Sequence, residues 1–237
     1  PKPAATGRSA RASPRLSHQG ASPGQAQESG AAAVPESAPM TPPTPLLVFA
    51  GSTRAQSHNR KLAQVAADLG RAAGAQVTLL ELADHELPLY NADLEARGTP
   101  EAARRLKAIF HAHPAWVICS PEYNGSYTGL LKNTIDWVSS PIKGDPEWSS
   151  GTKPFAGKVV GLLSASPGAL GGLRSLSHLS PLLLNLQCWL TPKQYALSKA
   201  GEAFDDQGQL ISGLAQAAVQ GVVEQAIQAA RKLNAPD

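Results

Sequence analysis

The chain has 237 residues, of which 42% are hydrophobic and 16% charged, a composition typical of a globular protein with one large domain or two small ones. The formal net charge of +3 is spread thinly along the chain, which argues against a nucleic-acid-binding stripe. No apolar run approaches the roughly 20 residues that cross a bilayer. The two cysteines, Cys119 and Cys188, lie in apolar runs and suit buried thiols better than a disulfide. We therefore expect a cytoplasmic protein that binds neither membrane nor nucleic acid.

The first 45 residues differ in kind from the rest of the chain. Residues 1–45 are rich in Pro, Ala, Ser and Gly and carry almost no large apolar side chain, so we expect a disordered N-terminal extension. The segment lacks the apolar core of a secretory signal, and its prolines would break the amphipathic helix of a mitochondrial transit peptide. The chain opens on Pro1 and its only methionine is Met40. Two interpretations stay open: residues 1–39 belong to the native protein, or they are upstream sequence that the native protein lacks.

From Leu46 onward, short apolar runs alternate with amphipathic stretches of helical length. Continuous apolar runs are typical of strands covered on both faces, and amphipathic stretches between them are typical of crossover helices. The pattern predicts strands at 46–50, 76–82, 115–119, 158–164 and 187–191, and helices at 57–72, 100–112, 128–138, 171–185 and 211–232. The sequence therefore predicts one α/β domain over 46–237, built on a doubly wound, five-stranded parallel sheet.

Cap residues support two of these helices. Ser57 precedes the first helix, and Gly74 lies just beyond its end. Thr99 precedes Pro100, which suits the first position of a helix. We therefore expect Ser57 and Thr99 to be helix N-caps.

The loop after the first predicted strand, "GSTRAQSHN" (51–59), is dense in hydrogen-bond donors. Ser52, Ser57 and Asn59 offer short polar side chains and Arg54 offers a planar cation. The helix that follows directs N–H groups and its positive dipole end at the same point. The glycine patterns of dinucleotide folds and of nucleotide hydrolases are both absent. The loop predicts a site for a phosphate monoester; the alternative is a simple helix cap beside a solvated arginine.

Two further loops follow the third and fourth predicted strands. In "SPEYNGSYTG" (120–129), the glycine allows close approach to the backbone, and Tyr123 and Asn124 are available to stack on a planar ring and to recognise its polar edge. In "SASPGALGGLRS" (164–175), glycines near Arg174 allow an approach to the edge of such a ring. For the loop 120–129 alone, the alternative is a strand-to-helix turn in which Asn124 and Gly125 supply only left-handed geometry and Tyr123 packs on its own sheet. For the loop 164–175 alone, the alternative is a flexible surface loop. In a doubly wound sheet, ligands bind where these loops meet.

Four motifs together resemble the NADPH-dependent FMN reductase family, flavodoxin-like enzymes that include quinone, azo-dye and chromate reductases. The motifs are "GSTRAQSHNRKLA", "LPLYNAD" (87–93), "SPEYNGSYTGLLKNTIDW" and "FDDQGQL" (204–210), and the resemblance spans nearly all of 46–237. It implies a flavodoxin-like sheet with strand order 2-1-3-4-5 and FMN as cofactor. It also implies hydride transfer from NADPH, or from NADH, through FMN to a quinone, flavin, azo compound or similar small acceptor. A homodimer or homotetramer is implied as well.

By the same resemblance, the cofactor-binding residues fall in the three loops. The implied phosphate ligands are Ser52, Arg54, Ser57 and Asn59; the implied ring contacts are Pro121, Glu122, Tyr123, Asn124 and Gly125 on one side and Ser166, Gly168 and Gly171 on the other. The helix start with Lys132, Asp136 and Trp137 is expected to be mainly structural. We expect no metal site and no catalytic side chain, because the cofactor carries the chemistry.

A flavodoxin-type electron carrier, without pyridine-nucleotide turnover of its own, is the competing interpretation. Flavodoxins cradle the phosphate in a Ser/Thr-rich loop and are acidic overall. This chain carries Arg54 in that loop and has a formal net charge of +3. The sequence therefore favours a reductase, and it leaves open the natural acceptor and the choice between NADPH and NADH.

Overall fold

The computed structural model describes residues 42–235, which form one parallel sheet covered by helices. The five strands lie in the order β2-β1-β3-β4-β5, and every neighbouring pair is parallel. The strands are β1 Pro45–Ala50, β2 Gln76–Leu80, β3 Ala115–Cys119, β4 Val159–Ala165 and β5 Trp189–Leu197. The predicted fold class and strand order are confirmed.

Helices cover both faces of the sheet and create two hydrophobic cores. The helices are α1 His58–Ala72, α2 Ala92–Glu95, α3 Glu101–Ala112, α4 Gly129–Ser139, α5 Leu173–Asn185 and α6 Gly213–Leu233. One core packs α1 and α6 against the sheet, and the other packs α3, α4 and α5 against the opposite face. Successive residues of β1 alternate between the cores: Leu46 and Val48 belong to the first, and Leu47 and Phe49 to the second. Burial on both faces explains why the strands are continuous apolar runs.

Several element boundaries differ from the predicted ones. Strand β2 ends at Leu80 rather than 82, because a short 3-10 turn occupies Leu82–Asp84. Strand β5 continues to Leu197, past Pro192, where the prediction stopped at 191. Proline is tolerated there because β5 lies at the edge of the sheet, where one side of the strand needs no hydrogen-bond donors.

The N-terminal ends of three helices also correct the prediction. Helix α5 begins at Leu173 instead of 171, because Gly171 and Gly172 have φ values of 62° and 91° in the left-handed region. Helix α6 begins at Gly213 instead of 211. Thr99 is not a cap: Pro100 occupies the N-cap position of α3 and Glu101 is its first helical residue.

Of the extension predicted to be disordered, residues 1–45, the structure describes only residues 42–45. Its last residues are part of the fold: Pro45 pairs with Gln76 in the sheet, and Thr44 is buried and accepts a hydrogen bond of 2.7 Å from Arg231 Nε. The folded domain therefore begins at least two residues before the predicted boundary at 46. Across residues 42–235, none of the helices combines the length and the apolar character that a membrane crossing requires.

Candidate functional site

Three loops meet at the carboxyl edge of the sheet, because β1, β3 and β4 are neighbours in it. They enclose a cavity of about 150 Å³. Pockets that take up a whole drug-sized ligand usually begin at about 300 Å³, so only part of a larger ligand would sink into this cavity. Eight of the residues predicted from sequence line it: Ser52, Arg54, Ser57, Asn59, Pro121, Glu122, Tyr123 and Ser166. The other four, Asn124, Gly125, Gly168 and Gly171, belong to the same loops but do not line the cavity.

The N-terminus of α1 is open toward an anion. Ser57 occupies the N-cap with extended backbone angles, as predicted, but its side chain makes no capping hydrogen bond within the described chain. Elsewhere Thr128 and Ser212 cap α4 and α6 in the usual way, accepting from Leu131 N and Ala215 N. The first N–H groups of a helix have no partner inside the helix. Those of α1 therefore remain available to a ligand, in a loop that also contains the exposed Arg54.

Asn59 connects this loop to the end of β4. Its Nδ2 donates to Ala165 O at 2.8 Å, and its Oδ1 accepts from Ala165 N at 2.9 Å. The side chain is only 3% exposed. Because an amide group has two N–H donors, a single N–H of Asn59 is left for any ligand. Its geometry supports a structural role at least as strongly as the predicted contact with a phosphate.

His58, the first residue of α1, also lines the cavity and was not among the predicted ligands. Its ring stacks on Phe204 at 6.3 Å with an interplanar angle of 8°. Its Nδ1 is buried and makes no hydrogen bond within residues 42–235. Burial lowers the pKa of His58 below its usual value, and the charges of Arg54 and Lys61 lower it further. Phe204 opens the motif "FDDQGQL", which was the only sequence signal that pointed to this contact.

The loop after β3 is a tight turn that presents an aromatic side chain. Tyr123 and Ser126 exchange backbone hydrogen bonds of 2.9 and 3.0 Å, and the two residues between them, Asn124 and Gly125, have φ values of 51° and 78°. The alternative that Tyr123 packs against its own sheet is wrong, since the residue is 56% exposed. The turn therefore supplies left-handed geometry and at the same time leaves its tyrosine available to a flat ligand.

Glu122 and Arg174 form an ion pair between the second and third loops. Glu122 accepts hydrogen bonds from Arg174 Nε at 2.7 Å and from Arg174 N at 3.1 Å. The Glu122 side chain is 9% exposed, whereas that of Arg174 is 61% exposed. From the sequence, Arg174 was a candidate to stabilise negative charge on a reduced ring, but in the structure its guanidinium is paired with Glu122. The pair fixes the start of α5 against the loop after β3.

In the third loop, two glycines were implied to contact the ring, and packing within the protein itself explains why one of them is a glycine. A Cβ atom on Gly171 would lie 2.7 Å from the backbone of Ala196, so only glycine fits there. A Cβ atom on Gly168 would meet only the Ser166 hydroxyl, at 3.6 Å, and Ser166 Oγ accepts a hydrogen bond from Gly168 N. Gly171 is therefore required by its approach to β5, whereas Gly168 and Ser166 are accessible to a ligand.

Helix α4, which belongs to the "SPEYNGSYTGLLKNTIDW" motif, is hydrogen-bonded to the "LPLYNAD" motif. Asn133 on α4 accepts from Tyr90 N at 2.7 Å and donates to Pro88 O at 3.0 Å. Trp137 is fully buried and donates to Pro88 O at 2.7 Å. Lys132 and Asp136 form an ion pair one helical turn apart, at 2.6 Å. The helix thus holds the "LPLYNAD" segment in place, and these contacts agree with the structural role expected for it.

The donor set suits a phosphate better than a metal ion. The cavity combines Arg54, short hydroxyl side chains and an uncapped helix start, all of which favour an anion. It also contains the His58 imidazole, whose Nδ1 has no partner within residues 42–235. In the described part of the chain, no group of three or more His, Cys, Asp or Glu side chains is placed to hold a metal ion.

Replacing Asn59 by alanine tests its connection to β4. Asn59→Ala leaves both backbone groups of Ala165 without their partner, so the free energy of unfolding of the flavin-free protein should fall by about 1–3 kcal/mol. Denaturant unfolding monitored by circular dichroism measures this change. Arg54→Ala is the matched control in the same loop: it removes an exposed side chain and should change stability by less than about 0.5 kcal/mol. Equal unfolding midpoints for Asn59→Ala and the wild type would contradict the structural role.

Comparisons with known proteins agree with the geometry. Residues 44–202 match the family model of NADPH-dependent FMN reductase. The chain is 36% identical over 176 residues to an NAD(P)H-dependent FMN reductase of Pseudomonas aeruginosa, covering 74% of this chain and 89% of that protein. It is 37% identical over 165 residues to a quinone reductase of Pseudomonas putida, covering 69% and 82%.

A solved structure supports the same conclusion. FerB, a flavoenzyme NAD(P)H:(acceptor) oxidoreductase from Paracoccus denitrificans, superposes with a TM-score of 0.68 at 29% identity, covering 80% of this chain and 98% of FerB. The family model covers more than half of the chain, and the relatives exceed 30% identity over most of their length. The chain therefore belongs to the NADPH-dependent FMN reductase family.

Proposed function

We propose that this protein is an NAD(P)H-dependent oxidoreductase that holds FMN between the three loops and reduces a small acceptor such as a quinone, a flavin or an azo compound. The observation that carries this proposal is the cavity at the carboxyl edge of the sheet, which Arg54 and the uncapped start of α1 line. It occurs in a chain whose relatives are an FMN reductase and a quinone reductase. When bound, FMN supplies the exchange of hydride between the two substrates.

The first loop suits the phosphate end of FMN. Arg54 supplies a charge-assisted donor, and Ser52 and Ser57 lie beside it with little exposure, at 5% and 3%. The uncapped N–H groups of α1 add the positive end of the helix dipole. Because the cavity is smaller than a whole flavin, the phosphate would lie in it beside Arg54, and only part of the ring would enter it, with the rest along the neighbouring loops. Asn59 contributes mainly by holding this loop at the end of β4.

The second and third loops suit a flat ring. The backbone turn at Asn124 and Gly125 leaves space for close approach, and the exposed Tyr123 offers a surface for stacking. Pro121 and Ser166 face the cavity from the two sides. Glu122 is occupied by Arg174, so its contribution is to keep the two loops at a fixed separation. The placement of these residues around the ring, and the absence of a catalytic side chain, stay predictions.

Assembly and location extend the proposal. We propose a homodimer or homotetramer, supported by large apolar side chains that stay exposed beside the cleft: Leu170 is 54% and Leu173 50% exposed. A cytoplasmic location is supported by Cys119 and Cys188, which are both unpaired and buried. The proposal takes in both NADPH and NADH, since no side chain in the described part of the chain is placed to read the 2′-phosphate that distinguishes NADPH.

Colour and reduction test the proposed activity directly. The purified protein, after incubation with FMN and removal of excess, should be yellow and should bleach when NADPH is added without oxygen. Spectra recorded between 350 and 550 nm, about the range of oxidised flavin absorption, measure both effects. Bleaching by dithionite but not by NADPH or NADH would favour an electron carrier. Protein that stays colourless after incubation with FMN would contradict the proposal altogether.

The Arg54 side chain should account for a large part of FMN retention. Arg54→Ala removes a charge-assisted hydrogen bond, so the dissociation constant for FMN should rise by about 10- to 150-fold, equivalent to about 1.5–3 kcal/mol. Quenching of flavin fluorescence during titration measures the constant. Arg105→Ala is the matched control, because Arg105 is an exposed arginine on α3 that pairs with Glu101 one turn away. Equal affinity in the wild type and Arg54→Ala would count against the phosphate assignment.

A further inference from the structure

His58 is the only histidine of the described chain that lines the cavity. It lies between Ser57 and Asn59 at the start of α1 and lines the cavity with them. Its ring is parallel to that of Phe204, with the ring centres 6.3 Å apart. Lys61 Nζ lies 5.8 Å from the centre of the same Phe204 ring. The imidazole therefore lies at the cavity wall beside an aromatic ring and a cation.

The charged groups around His58 are mostly cationic. From its own loop and helix, Arg54 and Lys61 lower its pKa, after the larger effect of burial. Across the cavity, the Glu122 carboxylate is neutralised by Arg174. In the segment that carries Phe204, the Asp205 carboxylate accepts from the backbone N–H groups of its own turn. Without a bound anion, burial and the neighbouring cations therefore favour the neutral imidazole of His58, and its buried Nδ1 has no hydrogen-bond partner within residues 42–235.

A phosphate in the cavity would reverse this balance. A dianion beside Arg54 offsets the repulsion that Arg54 and Lys61 exert on a protonated His58. An opposite charge a few ångströms away favours the protonated imidazole. We propose that His58 takes up a proton from solvent when the phosphate monoester of FMN enters the cavity, and so becomes an additional cation that selects FMN over riboflavin. This inference rests on the proposed binding of FMN and adds a proton-linked ligand to it.

The coupling between FMN binding and protonation of His58 fixes the direction in which FMN affinity changes with pH. If the complex with FMN binds more protons than the free components, affinity must fall as pH rises. Below about pH 7, protonation of the FMN phosphate itself acts in the opposite direction, because the second pKa of a phosphate monoester is about 6. The effect of His58 is therefore isolated between about pH 7 and 9. In that window FMN affinity should fall by about three- to tenfold in the wild type.

Isothermal titration calorimetry measures the proton directly. FMN binding at pH 7 is recorded in two phosphate-free buffers with different ionisation enthalpies, and the difference in heat gives the number of protons taken up. We expect an uptake of about half a proton in the wild type. His58→Gln should take up none and should show a flat affinity between pH 7 and 9. Riboflavin, which lacks the phosphate, should bind to the wild type without proton uptake.

Equal proton uptake by the wild type and His58→Gln would overturn the inference, and so would equal uptake with FMN and riboflavin. If neither flavin binds, the proposed function fails instead, so the two failures are distinguishable. A second measurement needs no variant: NMR titration of the imidazole signals of the wild type, with and without FMN. One of the six histidines should show a raised pKa in the complex. Unchanged pKa values for all six would overturn the inference.

Discussion

The arrangement of the three loops around the cavity depends on one pair of hydrogen bonds, between the side-chain amide of Asn59 and the backbone of Ala165. Strands β1 and β4 are not neighbours, since β3 lies between them. Thr128 Oγ1 donates to Gly51 O and so ties the loop after β1 to the start of α4, but the Asn59 amide gives it a direct connection to the end of β4. The amide joins them directly at a buried position, where an unmatched donor or acceptor is costly. The Glu122–Arg174 pair does the same for the second and third loops, so all three become one rigid edge.

On this edge, the electrostatics of the first loop follow from the way α1 begins. A serine at the N-cap normally satisfies the N–H groups of its own helix, as Ser212 does in α6. Ser57 leaves them unsatisfied. Arg54 and the neutral His58 stand at the same place. The protein thus keeps donors and positive charge together around a cavity of about 150 Å³, an arrangement that favours an anion and has room for a phosphate group.

Buried parallel strands and the loops after them leave continuous local patterns, so the sequence predicted the five-stranded parallel sheet and the three loops at its carboxyl edge. The strand order and part of the cavity lining were implied only by the resemblance to the FMN reductase family. The sequence missed the features that depend on contacts between distant segments. The end of β5 was predicted too early, because proline normally ends a strand. Pro192 is tolerated inside β5 because this strand lies at the edge of the sheet. The pairing of Glu122 with Arg174 and the stacking of His58 on Phe204 join residues that are far apart in the chain. Residue types indicate what a loop can bind, but only the fold shows which side chains are already occupied.

The most direct test of the central claim is a crystal structure of the protein grown with FMN. The account places the FMN phosphate within hydrogen-bonding distance of the Arg54 guanidinium and the first N–H groups of α1, with the ring along the turn that holds Tyr123. A structure with FMN bound elsewhere, or with only solvent between the three loops at saturating FMN, would contradict it.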